Sequence, residues 1–395
     1  MIAAVPTPSR AAVHRLAAAR LVSIAGSVSS GVALAVVLYA RTGSATWVGA
    51  ALLIAFAVPA VFSPVTGLIG DRFDRRLVLI ASDLLGAACF VGMAAVHAPA
   101  ALLALAFAGA VAAAPFLPTA GSLVPALATD DDLTWANSRL TMAMTAGRLV
   151  GPLIGAGLVA AISGSAAFIA NACTFLISAL LISTLRGSFR AAETEAGAPR
   201  FSVTEGFRLL FSHPTLRALT LGFALVDVGN GLVLPAEVPL AHVLGAGTFG
   251  YGAMVAIWSV GGLAGAQLYP RTLGRRDEPR VILGAAVGLC FAFGLVAIAP
   301  WLALALAGFV IAGATMSIVQ VGEDLILQRR VSDDIRGRVY AAHIAVVQLS
   351  LALPLLVAGA LSDALGPRAV FGIAAASVAL GVAALSTLLA RVSVR

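Results

Sequence analysis

Lysine is missing altogether: the 25 basic residues of this 395-residue chain are all arginine, and acids and bases together make up only 11% of it. Soluble domains carry about 25% charged residues, so this chain has too few to cover a water-facing surface. Without lysine there is no G-x-x-x-x-G-K-[ST] phosphate loop, and any work the protein does must draw on an ion gradient or on the gradient of its own cargo. Cysteine is scarce, with Cys89, Cys173 and Cys290 each inside an apolar run and without a C-x-x-C pair or a neighbouring histidine. They read as small core residues, and neither a disulfide framework nor a metal site is indicated. Two signatures of intramembrane enzymes are missing as well. A metal-binding D-D-x-x-D fails because Thr134 stands where an acid belongs, and neither His97 nor His343 has an acid at the spacing of a catalytic H-x-x-x-D. No catalytic residue, metal or cofactor is therefore expected, and no soluble effector domain marks the chain as a sensor.

What the chain has in excess is apolar sequence. Hydrophobic residues make up 60% and the mean hydropathy is +1.01, against about 45–50% apolar in soluble domains. A span needs about 20 mostly apolar residues to cross about 30 Å of hydrocarbon. Runs of that kind fall at 15–40, 46–70, 77–96, 99–127, 138–162, 166–185, 214–242, 248–270, 280–299, 301–327, 339–362 and 368–390. They are apolar all round and too long for the alternating strands of a barrel, which predicts an all-α membrane protein of about twelve transmembrane helices. Arg10, Arg15 and Arg20 precede the first run as in a signal peptide, but that run continues to about Ala40 and reads as the first span.

The arginines are distributed unevenly between the loops. With both termini cytoplasmic, the inward loops hold Arg72, Arg75, Arg76, Arg139, Arg186, Arg190, Arg200, Arg208 and Arg217, then Arg271, Arg275, Arg276, Arg280, Arg329, Arg330, Arg336 and Arg338. The outward loops hold only Arg41 and Arg368. Arginine-rich short loops resist translocation, so this bias sets the orientation. It also accounts for the net charge of +7 without a nucleic-acid partner. A lysine-free, alanine-rich chain points to a GC-rich bacterium, hence to its plasma membrane.

The longest polar interval, 186–212, divides the spans six and six, giving an N-terminal bundle at 1–185, a cytoplasmic linker and a C-terminal bundle at 213–395. Its second part, "FSVTEGFRLLF", is amphipathic and reads either as a membrane-surface helix or as a solvated loop. An internal repeat supports the division. Shifted by 202 residues, Asp131-Asp132-Leu133 falls on Asp333-Asp334-Ile335, Pro152 on Pro354, Gly157 on Gly359 and Gly164 on Gly366. Shifted by 200, Arg75-Arg76 falls on Arg275-Arg276. Two pseudo-symmetric six-helix bundles imply a binding site between them near the middle of the bilayer.

The stretch "GLIGDRFDRRLVL" resembles the loop 2–3 signature of the major facilitator superfamily, G-x-L-a-D-R-x-G-R-[KR]-x-x-L, with Gly67, Gly70, Asp71, Arg72, Arg75, Arg76 and Leu79 in place. Ile69 replaces the leucine and Asp74 the second glycine. The second-half copy, "YPRTLGRRDEPR", has Arg271 where the first half has Asp71. "LQRRVSDDIRGRVY" is similar to the loop after helix 10 in the drug-exporting, enterobactin-exporter-like branch. The resemblance implies that Asp71 sits beside the start of helix 11, near Gly337 and Arg338, when the cytoplasmic side is closed. There it would meet the positive end of a helix dipole. It likewise implies that Arg75 reaches Asp130, Asp131 and Asp132, so that these contacts form in one state and break in the other. A loop serving orientation alone is the alternative.

"GRLVGPLIGAG", in the fifth span, looks like the antiporter motif of the same superfamily, with Gly147, Gly151, Pro152, Gly155 and Gly157 in place and Ala156 at a usual glycine. Glycines four apart let helices approach closely, and proline removes a backbone hydrogen bond; a plain packing seam is the alternative to an export signature. Two charges lie within spans: Arg148, nine residues beyond Arg139, and Asp227, ten beyond Arg217. Both are therefore roughly 14–15 Å from the cytoplasmic boundary. Ionisable groups at that depth mark wet cavities, so Asp227 is expected to take up and release a coupling proton, with Arg148 tuning it or binding substrate, and Asn230 offering an amide. A structural ion pair is the other possibility. Glu323 and Asp324, at the inner end of the tenth run, read as gating or loop residues. The whole reading is a monomeric secondary exporter of lipophilic or amphipathic small molecules, exchanging them for protons. An importer or uniporter of the same fold is the alternative, and an intramembrane transferase a distant one.

Overall fold

A computed structural model describes residues 9–185, 189, 203–269, 278–331 and 333–392, and among them every regular element is helical. The helices are α1 (Arg10–Thr42), α2 (Ala45–Arg72), α3 (Arg75–Ala95), α4 (Pro99–Ala113), α5 (Phe116–Leu127), α6 (Leu133–Ala161), α7 (Gly164–Ser183) and α8 (Val203–Ser212). They continue as α9 (Pro214–Val233), α10 (Glu237–Val243), α11 (Gly247–Leu268), α12 (Glu278–Ile298), α13 (Leu302–Arg330), α14 (Asp333–Ala352), α15 (Leu355–Leu365) and α16 (Pro367–Val392). Among the described residues, ten helical stretches are long and apolar enough to cross a membrane, and Ala45–Pro59 and Pro99–Ala113 are shorter apolar helices in the second and fourth runs.

Helix ends follow local chemistry. At the end of α1, Gly43 takes a φ of 66° and its N–H donates to the Tyr39 carbonyl, a conformation glycine adopts without the Cβ penalty. Ser163 caps α7 by accepting from the Ala166 N–H. Prolines divide three of the expected spans. The fourth breaks at Pro115 between α4 and α5, the seventh at Pro235 within a 3₁₀ turn, Leu234–Ala236, before α10, and the eleventh at Pro354 between α14 and α15. Proline has no N–H for the helical ladder and its ring crowds the preceding turn.

The described residues cluster into two units, one of residues 9–43 and 54–185, the other of 44–53 and 203–392. In the first, α1 lies against α6 and α7, and α3 against α7 and α4. Leu16, Leu79, Leu123, Leu127, Ile182 and Phe189 form one of its cores. In the second, α11 packs on α13, α9 on α16, and α12 on both α13 and α16. There Leu219, Phe223, Tyr269, Ile282 and Leu385 are buried together. Leu85 and Leu180 in the first unit, and Phe291 and Leu380 in the second, remain exposed. Large apolar side chains left uncovered on many helices are what a lipid-facing surface requires.

Of the linker, residues 186–188 and 190–202 lie outside the described residues, as does the second-half loop at 270–277. Its amphipathic end is α8, whose Leu210 is fully buried with Leu216, Leu327, Val331, Val339 and Ala342. The apolar face of α8 is thus packed onto the second unit. Within that unit the first turn of α2 is also held: Asp363, near the end of α15, accepts from the Ala45 N–H at 2.6 Å and from the Thr46 N–H and hydroxyl at 3.2 and 2.8 Å.

Candidate functional site

The signature loop joins α2 to α3. Gly67, Gly70, Asp71 and Arg72 form the last turns of α2; Arg72 is exposed, and the side chain of Asp71 lies outside the described part of the structure. Asp74, the departure from the signature glycine, has a defined role. One carboxylate oxygen accepts from the Arg76 and Leu77 N–H groups at 2.9 and 3.4 Å, capping α3, and the other accepts from the Phe189 N–H at 2.9 Å. The Arg75 N–H donates to the Phe189 carbonyl at 3.3 Å, and the Arg76 guanidinium donates to the Ser183 carbonyl. The loop is therefore stitched to the segment that follows α7.

Asp130, Asp131 and Asp132 make a 3₁₀ turn before α6. Asp131 is exposed, and the side chain of Asp130 lies outside the described part. Asp132 pairs with Arg10 at 2.8 Å, and the guanidinium of Arg10 stacks over Trp135 at 5.2 Å. The hydrogen bond from Arg10 holds the Asp132 carboxyl below the usual aspartate range. Gly337 and Arg338 belong to α14, with surroundings outside the described part.

The glycines of the second motif line up on α1. A Cβ added at Gly147 would come within 3.0 Å of the Leu21 carbonyl oxygen, one at Gly151 within 2.8 Å of the Ala25 oxygen, and one at Gly155 would fall on the backbone of Ser29. A Cβ at Gly157 would meet nothing. Three glycines four residues apart thus form a backbone-to-backbone seam, which side chains would hold apart. Pro152 is buried in the middle of this helix; having no N–H, it leaves the carbonyl of Arg148 without its helical partner. Arg148 itself is exposed.

Asp227, in α9 of the second unit, is 6% exposed. Asn230 is half-buried three residues after it, in the helix's last turn. The flanking glycines serve packing, since a Cβ at Gly229 would meet the Ala374 carbonyl at 3.0 Å and one at Gly231 the Leu351 carbonyl. Beside Asp227 lies a group of polar residues that the spacing of the sequence does not join. Glu323 of α13 and His343 of α14 approach to 2.6 Å through Oε1 and Nε2. The other ring nitrogen, Nδ1, is 2.9 Å from the Thr220 hydroxyl of α9. Glu323, His343 and Thr220 are all buried, and Asp227 lies within electrostatic reach of Glu323. The signal in the sequence is one acid and one histidine in consecutive apolar runs, 20 residues apart. In the first unit Asp83 is buried to 1% exposure, with neither carboxylate oxygen hydrogen-bonded. Arg20 of α1, also buried, lies within electrostatic reach of Asp83 and stacks over Phe116 at 5.1 Å.

Comparison with known proteins agrees with this architecture. The sequence profile of the Major Facilitator Superfamily matches residues 16–354. The multidrug efflux pump Tap of Mycobacterium tuberculosis is 30% identical over 377 residues, covering 89% of this chain and 87% of that protein. The MFS-type transporter YfiS of Bacillus subtilis is 28% identical over 335 residues, with 81% and 79% covered. The crystal structure of the nucleoside transporter NupG superposes with a TM-score of 0.79 at 14% identity, over 96% of this chain and 99% of that one, a likeness of fold alone. The chain is thus a multi-pass membrane transporter that belongs to the major facilitator superfamily.

Proposed function

We propose that this transporter is a secondary exporter of lipophilic or amphipathic small molecules, acting by alternating access between two bundles, residues 1–185 and 213–395, and driven by proton antiport. The observation that carries the reading is the α1–α6 seam, where Gly147, Gly151 and Gly155 of the antiporter-like motif take α6 against the backbone of α1. A relative named as a multidrug efflux pump supports the direction. The scarcity of charge within the spans supports apolar cargo, since sugar phosphates or dicarboxylates need more cationic partners. In this reading the inner side closes when Asp71 caps the start of α14 near Gly337 and Arg338, and Arg75 draws toward Asp130, Asp131 and Asp132. Asp227 carries the coupling proton, with Arg148 and Asn230 facing the path, and the protein works as a monomer in the bacterial plasma membrane. Both termini face the cytoplasm in this reading, which the arginine bias of the loops supports.

Accumulation of a panel of antibiotics, dyes and siderophores, measured in cells with and without the protein and with and without a protonophore, tests this. Export predicts lower accumulation in the expressing cells, abolished by the protonophore. Higher accumulation in the expressing cells would make the protein an importer of the same fold, and protonophore-insensitive efflux would remove protons as the driving ion.

A further inference from the structure

We infer that Glu323 and His343 hold a second transported proton beside the one carried by Asp227, with Thr220 keeping the imidazole hydrogen-bonded in both of its charge states. The inference deepens the exporter reading above and rests on its proton coupling.

The residues come from three helices: Thr220 from α9, Glu323 from α13 and His343 from α14. Glu323 Oε1 is 2.6 Å from His343 Nε2, and Thr220 Oγ1 is 2.9 Å from Nδ1. The ring lies edge-on to Phe223, with centroids 6.5 Å apart. A lone carboxylate or imidazolium in so apolar a place is expensive, whereas a pair in contact exchanges charge internally. Two states are compatible with this geometry. In the first, His343 is neutral, Nε2–H donates to the Glu323 carboxylate, and Nδ1 accepts from the Thr220 hydroxyl, so the pair carries one negative charge. In the second, one proton from water has bonded to Nδ1; the imidazolium donates to Glu323 and to the Thr220 oxygen, and the pair is neutral. A hydroxyl both donates and accepts, so Thr220 needs only to rotate about its C–O bond to serve either state. Loss of that proton to water on the other side restores the first state. A purely structural role is a poor account, because a buried acid–base pair is often matched or bettered in stability by apolar residues of similar volume.

The other ionisable groups around the pair are few. Asp227, on the same helix as Thr220, feels the charge of Glu323. Asp324 follows Glu323 and takes a hydrogen bond from the Tyr340 hydroxyl of α14. Arg217 stands at the exposed start of α9, and α8, which packs on α14, carries Glu205 and Arg208. From α12, Cys290 turns its thiol to the Ala375 carbonyl of α16, and Tyr269 shares the core layer of Leu219 and Ile326. Asp227 is the charge best placed to sense the state of the pair.

The test pairs a spectroscopic with a transport measurement on the full chain in lipid. The first follows ¹⁵N chemical shifts of His343 through pH, assigned by His343→Gln. The second follows ethidium in proteoliposomes, as accumulation driven by a pH gradient and as exchange with no gradient. In the wild type the imidazole should change charge state within the pH range over which the gradient drives accumulation. Thr220→Val should lower its proton affinity by about tenfold, one pH unit in midpoint. Glu323→Gln should abolish gradient-driven accumulation and leave gradient-free exchange in place. A His343 that keeps one charge state across the range, or an unshifted midpoint in Thr220→Val, would overturn the inference whether or not Glu323→Gln folds. So would wild-type accumulation in Glu323→Gln. Wild-type vesicles that exchange ethidium but do not accumulate it on a pH gradient would instead count against the proton-antiport reading.

Discussion

At Gly155 a single methyl group decides how near two helices come. An alanine Cβ there would fall on the Ser29 backbone, whereas the same atom at Gly157, two residues on, has open space. Gly155→Val should therefore cost on the order of 1–3 kcal/mol or force α6 away from α1. Gly157→Ala should stay within about 0.5 kcal/mol of the wild type. Thermal unfolding of the two variants in detergent checks the contrast, and equal losses would mean that the seam is not set by these contacts. A second residue-scale expectation concerns acid. The Asp132 carboxyl is held below its ordinary range by Arg10, so protons bind it less readily in the folded than in the unfolded chain. What the pair adds to stability is thus fully present above the ordinary aspartate pKa and is lost as pH falls through the lowered one. Arg10→Ala should differ from the wild type in denaturant midpoint at neutral pH, and the difference should fade toward strongly acidic pH. A gap that widens with acid would contradict the sign.

Among the elements, the signature loop shows what a motif can and cannot tell. Its departure from the pattern, an aspartate in place of a glycine, suggests only that the glycine's backbone role is lost. The structure gives Asp74 a different one, as the cap of α3 and the anchor of Phe189. Asp74→Gly, which restores the signature, should weaken the first turn of α3 by a few tenths of a kcal/mol through loss of the cap, and by more through the lost tie to Phe189. Faster amide exchange at Arg76, Leu77 and Phe189 would report it; unchanged protection would show that the cap is dispensable. The helices themselves were legible from the apolar runs, because length and hydrophobicity dictate a span. The breaks at Pro115, Pro235 and Pro354 had a legible cause in the missing N–H, although how far each would divide its span depends on packing. The trio of Thr220, Glu323 and His343 was not legible. The residues lie up to 123 positions apart, and only the packing of α9, α13 and α14 brings them into contact.

For the whole molecule, a helical membrane-spanning chain follows from composition before any motif is read, since so little charge leaves hydrocarbon as the only solvent for most of the surface; that it is a transporter does not. Function at this scale turns on buried charge, and Asp227 is the most direct probe. Asp227→Asn should remove proton-driven transport in vesicles and spare substrate exchange, and fully retained coupling would take Asp227 out of the mechanism.

Splitting the gene is a natural way to study a transporter built by duplication, and the placement of residues 44–53 bears on it. The opening turns of α2 belong with the second unit, where Asp363 meets their backbone and Gly359 lies flush against Ala45 and Thr46. A fragment beginning at residue 203 would leave that carboxylate without its four donors from Ser44, Ala45 and Thr46 and the glycine face bare. Produced by itself it should be short-lived in the cell, and supplying residues 1–185 from a second plasmid should restore its yield. Equal yields with and without the first fragment would show that the borrowed turns are not needed.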